Sequence, residues 1–409
     1  YISVGGVLGG IFNALVAPLV FNRVVEYPLI LILACLLRPK MAIEKSKPYS
    51  SWLDLGLPFT LAAFIVVLVL ILRSQAFSFN KTIMAIGIMV IPGLAAVFCY
   101  SFRYRPVRFG LGVGAIILTS TLAIDQGSRV LHRERSFFGV LQIVRESTTG
   151  KEGFHKLIHG TTVHGVQSLD PALRQEPLSY FHRDGPIGQV FAILPAEYEK
   201  GHIAVVGLGA GTMACYAKTG QHWTFYEIDP AIERIARDTQ YFTFLKDCPS
   251  KVNVVLGDAR LSLAKAPDQH YDFIAIDAFN SDAIPIHLLT REAIHLYLSK
   301  LSDSGILAFH ISNKFLDLKP VLGNLAKNTG LVGLVRDMPA SEMELKAQKH
   351  PSTWVAMARH KADIYQLAMA YRWEPLRVAS KVGIWTDDFS NIISVIKWRP
   401  RLMLKDNHP

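Results

Sequence analysis

Two hydrophobic patterns divide the chain. Residues 1–21, 24–37, 55–72, 82–102 and 109–124 are largely apolar stretches separated by short charged loops. A bilayer-spanning helix needs about 20 such residues. Four of the stretches approach that length, and 24–37 is shorter. The first is dotted with Gly5, Gly6, Gly9 and Gly10, a spacing that permits close helix–helix approach in lipid. From Arg129 the composition turns charged, and we read 129–136 as a linker. Short runs broken by glycine follow at 137–144, 154–158 and 161–168, the signature of a small antiparallel β-module. A polar stretch from Pro171 then leads to an apolar helix ending near Leu194. From residue 202, apolar runs of strand length alternate with helix-compatible segments, which predicts a mostly parallel sheet with helices on both faces. Strands are expected at 203–206, 223–226, 252–255, 272–276, 305–311 and 352–357. Helices are expected near 212–219, 230–240, 259–265, 289–301 and 318–328, with an amphipathic one at 388–396.

The expected organisation is a multi-span helical membrane segment at 1–127, a linker and small β-module at 128–200, a Rossmann-like α/β domain at 201–400, and a tail at 401–409. Composition agrees: half the residues are hydrophobic, and the mean hydropathy is +0.26. The net charge of +10 is concentrated in the first part, where ten Lys or Arg face four Asp or Glu over residues 1–127. Those charges lie in short loops between apolar runs, where membrane lipid headgroups are the natural partner and nucleic acid is not. Lys and Arg divide seven to six between alternate loops, so charge does not set the topology. We expect the second part on the cytoplasmic side of the inner membrane, where its cofactor is made. The chain opens at Tyr1 inside an apolar stretch, and we expect residues to precede it.

Cys35, Cys99, Cys215 and Cys248 are far apart in sequence and suggest neither a metal site nor a disulfide framework. His159 and His164 flank glycines in a turn and read as strand-end polar contacts, so no metal is expected. Asp387 and Asp388, in a polar patch after residue 384, read as helix-capping acids. The chemistry lies at strand ends, where open α/β sheets bind ligands. Ile203–Val206 runs into Gly207, Gly209 and Gly211, which permit a tight turn and close backbone approach to a nucleotide. Glu227 ends the next strand, placed to accept hydrogen bonds from ribose hydroxyls. Asp258 follows the third, where it could accept from an adenine amino group. Asp277 ends Phe273-Ile-Ala-Ile-Asp and opens a loop that runs to Thr290.

Gly207-Leu-Gly-Ala-Gly, Glu227-Ile-Asp-Pro, Gly257-Asp258-Ala259 and Ile276-Asp277, in this order, resemble the S-adenosylmethionine-dependent methyltransferase fold. More narrowly they resemble the polyamine aminopropyltransferases, or spermidine synthases. Phe137-Phe-Gly-Val, His159-Gly-Thr-Thr-Val-His-Gly-Val-Gln, Leu288-Leu-Thr-Arg-Glu and Trp385-Thr-Asp-Asp-Phe-Ser-Asn are similar to a membrane-bound subgroup of that family. The resemblance implies aminopropyl transfer from decarboxylated S-adenosylmethionine to a polyamine, with Asp277 as base. It also implies that Gly207, Gly209, Gly211, Glu227, Asp258 and Ala259 hold the donor, that Gln167 and Tyr180 meet the substrate, and that a homodimer is allowed. One departure stands out. The second acid of the family's loop falls on Asn280, so the pocket loses a countercharge unless Asp282 replaces it. Two alternatives stay open: an S-adenosylmethionine-dependent methyltransferase on another acceptor, and a transporter or sensor that binds polyamine or nucleoside without turnover.

Overall fold

A computed structural model of the chain describes residues 1–39, 51–73, 81–124, 128–148, 151–195, 198, 200–279 and 284–397. It divides into two compact units, Tyr1–Ser128 and Arg129–Pro409.

The first unit is helical. Helices cover Ile2–Val20 (with a π-helical turn at Phe12–Val16), Glu26–Leu36, Ser51–Arg73, Lys81–Tyr100 and Pro106–Ile124. Among the described residues only Ile2–Val20 and Trp52–Ile71 are long and apolar enough to cross a membrane. The multi-span expectation thus reduces to two such helices here, because Glu26–Leu36 stops at 11 residues and the others have shorter apolar stretches. The close helix approach expected at Gly5, Gly6, Gly9 and Gly10 is not found within the unit: nothing lies within 4 Å of a Cβ built at any of them. It occurs instead on the last helix. A Cβ at Gly112 would lie 2.7 Å from Cys99 Sγ, and one at Gly114 would lie 3.3 Å from Ile32. Leu61, Ile65, Ala95, Cys99 and Phe102 form a small core, and Arg108 pairs with Asp54 at 2.8 Å beside it.

The second unit begins with an antiparallel meander: β1 (Ser128–Ser136), β2 (Gly139–Thr148), β3 (Lys151–His159) and β4 (Thr162–Ser168). The segment expected as a linker is therefore β1. Its charges mask a strand because it lies at the sheet edge, where charged side chains are tolerated. Leu131 turns to the core, while Arg133 and Glu134 bond to Gln142 and Arg234.

The larger sheet has eight strands: β5 (His202–Val206), β6 (His222–Glu227), β7 (Lys251–Leu256), β8 (Tyr271–Ile276), β9 (Leu301–His310), β10 (Val332–Met338), β11 (Ser352–Ala358) and β12 (Glu374–Pro375). They are ordered β12-β10-β11-β9-β8-β5-β6-β7. The run from β7 to β9 is parallel, and β11, β10 and β12 join antiparallel. Alternate residues feed two buried faces, Ile203 and Val205 on one, Ala204 and Val206 on the other. Each fully buried aromatic in these layers, such as Phe225 or Phe273, contributes roughly 1.5–3 kcal/mol.

Three expectations change. The helix expected at 212–219 is a single 3₁₀ turn, Thr212–Tyr216, because Gln221 Oε1 accepts the Lys218 N–H at 2.9 Å and draws the chain into the Gly220 turn. The amphipathic helix expected at 388–396 is a short 3₁₀ turn, Ile392–Val395, with Ile393 exposed. Strand β10 and the helix Lys361–Tyr371 were not expected at all.

Candidate active site

The chain leaves β5 toward β6 on one side and later returns to β8 on the other. That reversal opens a crevice at the carboxyl ends of β5 and β8. The glycine turn forms its floor. Gly207 has φ +99°, and a Cβ there would collide with the Asp277 carbonyl. Gly209 has φ +53°, and its Cβ would stand 2.6 Å from the His164 carbonyl of β4. Both positions require glycine, for strain and for space. Gly211 caps the turn that follows.

Glu227 is 8% exposed. Its Oε2 accepts the Leu208 N–H and its Oε1 the Asp229 N–H, both at 2.9 Å. Burial pushes its carboxyl above the usual range, opposed by these backbone donors. Asp229 in turn caps the helix Pro230–Arg237 and accepts from Ser136 Oγ at 2.5 Å. Asp258 caps the short helix that begins at Ala259: Oδ1 accepts the Leu261 N–H at 2.9 Å, and Oδ2 lies 3.4 Å from His287 Nε2. Arg260 holds Asp387 through two bonds of 2.7 and 2.6 Å, and Thr290 Oγ1 donates to the same carboxylate. Asp387, read as a capping acid, is an ion-pair partner.

Asp277 sits one residue past β8, its N–H bonded to the Val206 carbonyl at 2.8 Å. 

Its side chain is 13% exposed, and Oδ1 accepts a bond of 2.6 Å from His310 Nδ1. His310 ends β9, and its Nε2 lies 2.7 Å from Ser312 Oγ. The imidazole is 3% exposed and stacks on Trp354 at 4.7 Å. Rings of Phe279 and Tyr180 stand edge-on or tilted to it at 4.9 and 5.3 Å. Burial raises the proton affinity of Asp277, and the bond from His310 works against that rise.

The structure thus brings Tyr180 to Asp277 through His310. Gln167 is used differently. Its Nε2 donates to the Arg174 carbonyl and to Thr243 Oγ1, and its Oε1 accepts the Thr243 N–H, which makes it a buried clamp. Asn280 and Asp282 lie outside the described residues. His159 Nε2 meets the Phe138 carbonyl at 2.8 Å, a strand-end polar contact. His164 Nε2 is buried and unpaired, and burial holds that imidazole down at about 3. No group of three His, Cys, Asp or Glu is disposed to hold a metal among the described residues.

Sequence reading missed His310, Ser312 and Trp354. A signal for the first was present: His310 ends an apolar run just as Asp277 does. The register that pairs Ile276 with Phe309 sets the two strand ends side by side.

The residues suit a nucleoside-bearing cation. Carboxylates end or follow β6, β7 and β8 around the glycine turn. Glu227, with one N–H on each oxygen, retains lone pairs for hydroxyl donors.

No family model matches the chain. Over 211 residues it is 38% identical to the polyamine aminopropyltransferase of Vibrio vulnificus, a match that covers 48% of this chain and 63% of that protein. It is also 34% identical over 211 residues to the N-terminal histidine N-methyltransferase of Emericella nidulans, covering 49% of this chain and 37% of that one. The chain therefore spans less than two thirds of the length of either relative. A probable spermidine synthase from Corynebacterium glutamicum superposes with a TM-score of 0.44 at 16% identity, over 59% of this chain and 87% of that one. Spermidine synthase from Thermotoga maritima gives 0.39 at 14%, over 61% and 81%. Over the matched 211 residues the chain is similar in sequence to the polyamine aminopropyltransferases.

Proposed function

We propose that the protein transfers an aminopropyl group from decarboxylated S-adenosylmethionine to a polyamine, with Asp277 as the base. The observation that carries this reading is the buried carboxylate of Asp277 at the β5–β8 crevice, beside the glycine turn that follows β5. The donor's sulfonium makes the adjacent carbon electrophilic. The acceptor amine is an ammonium in water, with a pKa of about 10.4, and must shed a proton before it attacks. Asp277 orients that nitrogen and takes the proton. The new N–C bond forms as the C–S bond breaks, and sulfur leaves with the electron pair as a neutral thioether. Burial favours the protonated form of Asp277, which brings the carboxylate closer in basicity to the amine. Gly207, Gly209, Gly211, Glu227, Asp258 and Ala259 hold the donor in this reading, and Tyr180 meets the acceptor; the resemblance assigns Asn280 and Asp282 to the acceptor as well.

The same reading anchors the protein in the inner membrane as a multi-pass chain with its α/β unit in the cytoplasm. Support comes from Ile2–Val20 and Trp52–Ile71, whose side chains at Val7, Leu8, Leu15, Phe59 and Phe64 stand largely exposed. Each such side chain left in water forgoes roughly 1.5–3 kcal/mol of burial free energy, which lipid would restore.

The test is incubation of the full-length protein with decarboxylated S-adenosylmethionine and putrescine, cadaverine or spermidine, with products identified by mass spectrometry. We expect a product heavier by one aminopropyl group, and its loss in Asp277→Asn. Absence of product with every acceptor would overturn the reading. A second reading, methyl transfer, draws on the 34% identity to an N-methyltransferase. A methylated product from S-adenosylmethionine would establish it in place of the first.

A further inference from the structure

We propose that His310 is the positioning residue for Asp277: its Nδ1–H holds Oδ1, keeps the carboxylate ionised and aimed, and leaves Oδ2 to take the acceptor's proton. This deepens the aminopropyl-transfer reading and rests on it for the role of Asp277.

The direction of the hydrogen bonds follows from the carboxylate. An ionised carboxylate only accepts, so Nδ1, 2.6 Å from Asp277 Oδ1, carries the proton. A neutral imidazole protonated on Nδ1 accepts at Nε2, and the Ser312 hydroxyl 2.7 Å away is its donor. Ser312 Oγ in turn accepts the Thr353 N–H at 2.9 Å. The chain of donors thus starts on β11, crosses two side chains and ends on the carboxylate. A second proton on His310 would leave Nδ1 donating all the same.

The ring has little freedom to depart from this geometry. Trp354 lies parallel to it within 6°, and Phe279, Tyr180 and Phe181 close its edges. The titratable groups near it are Asp277 from the end of β8, Tyr180 from the loop before Pro186, and His164 from β4. His350 lies behind Tyr180, ring to ring at 5.5 Å. Burial first, then neighbouring charge, holds His164 to about 3 and His350 to about 4. Both are uncharged at neutral pH, so neither sets a positive charge beside the Asp277–His310 pair. Burial raises the proton affinity of Asp277, and the donor on His310 opposes that rise.

The test uses the full-length chain with His310→Phe, which keeps a ring on Trp354 but no donor, and His310→Gln, which restores an N–H. In the phenylalanine variant we expect kcat near neutrality to fall roughly ten- to hundredfold. Its acidic limb should move up by about one pH unit or more, so that activity recovers as pH rises. His310→Gln should recover part of both effects. A uniform loss with the limb unmoved, or a glutamine variant no better than phenylalanine, would overturn the proposal. Nitrogen NMR of ¹⁵N-histidine-labelled protein supplies a readout that needs no turnover and decides alone if His310→Phe does not fold. His310 should carry its proton on Nδ1, with a resonance that moves in Asp277→Asn. A proton on Nε2 alone would sink the idea even in an active enzyme. Conversely, failure to detect aminopropyl transfer would remove the reaction and leave the NMR result to judge the pairing.

Discussion

Glu227 Oε2 accepts the backbone N–H of Leu208 at 2.9 Å, so the acid that ends β6 also ties down the glycine turn that follows β5. Its other oxygen holds the Asp229 N–H. In Glu227→Gln one oxygen becomes an NH₂ group, which must face an N–H donor or rotate away from it. The loss of a charge-assisted bond costs about 1.5–3 kcal/mol. We expect a lower urea midpoint and at least about tenfold weaker donor binding by calorimetry. Wild-type affinity in the variant would refute this tie.

Gly207→Ala places a methyl group against the Asp277 carbonyl in a backbone conformation with φ +99°. The conformation alone costs about 1–2 kcal/mol, and relief of the clash moves the residue that bears the proposed base. Transfer activity should fall further than the melting temperature would suggest. Gly5→Ala is the control: it meets nothing within 4 Å, and its melting temperature should not fall.

Gln167→Ala separates a clamp from a substrate contact. The variant leaves the Thr243 N–H without its partner, at about 1–3 kcal/mol if that group stays buried. Thermal melts should shift down, with KM for the polyamine little changed in the surviving fold. An unchanged melting temperature with a raised KM would assign Gln167 to the substrate instead.

Stability should fall on acidification. His164 and His350 are held to about 3 and about 4 in the folded chain, against about 6.5 when unfolded. Between those limits the unfolded chain binds protons that the folded one refuses. The stabilising contribution is therefore full above the unfolded value and is lost as pH falls toward the folded ones. The slope approaches ~1.4 kcal/mol per pH unit for each histidine. Urea midpoints at pH 7 and pH 5 test this, and His350→Gln should flatten the slope. A wild-type midpoint that does not move would contradict it.

Strands β5 to β8 were legible because each is a short apolar run that stops at a glycine or a carboxylate. The acids Glu227, Asp258 and Asp277 could be listed for the same reason. Strand β1 was not legible, because an edge position admits the charges of Arg133, Glu134 and Arg135 that read as a linker. His310 was missed for a different cause. Its approach to Asp277 depends on the pairing of β8 with β9, and nothing local to either strand states that register. The clamp on Gln167 has the same origin, since its partner Thr243 lies 76 residues away. Small-residue packing among the apolar helices was read at Gly5–Gly10 but occurs at Gly112 and Gly114, where a second helix supplies the opposing surface.

The contact between β4 and the glycine turn bears on how molecules enter and leave. Gly209 has no room for a Cβ beside the His164 carbonyl, and a Cβ at Gly165 would strike Ala210. Backbone pressed on backbone at Gly209, with the Ala210 methyl filling the space over Gly165 at the next residue, cannot serve as a hinge. The four-stranded sheet is therefore a fixed wall, and any opening of the crevice must come from elements other than β4.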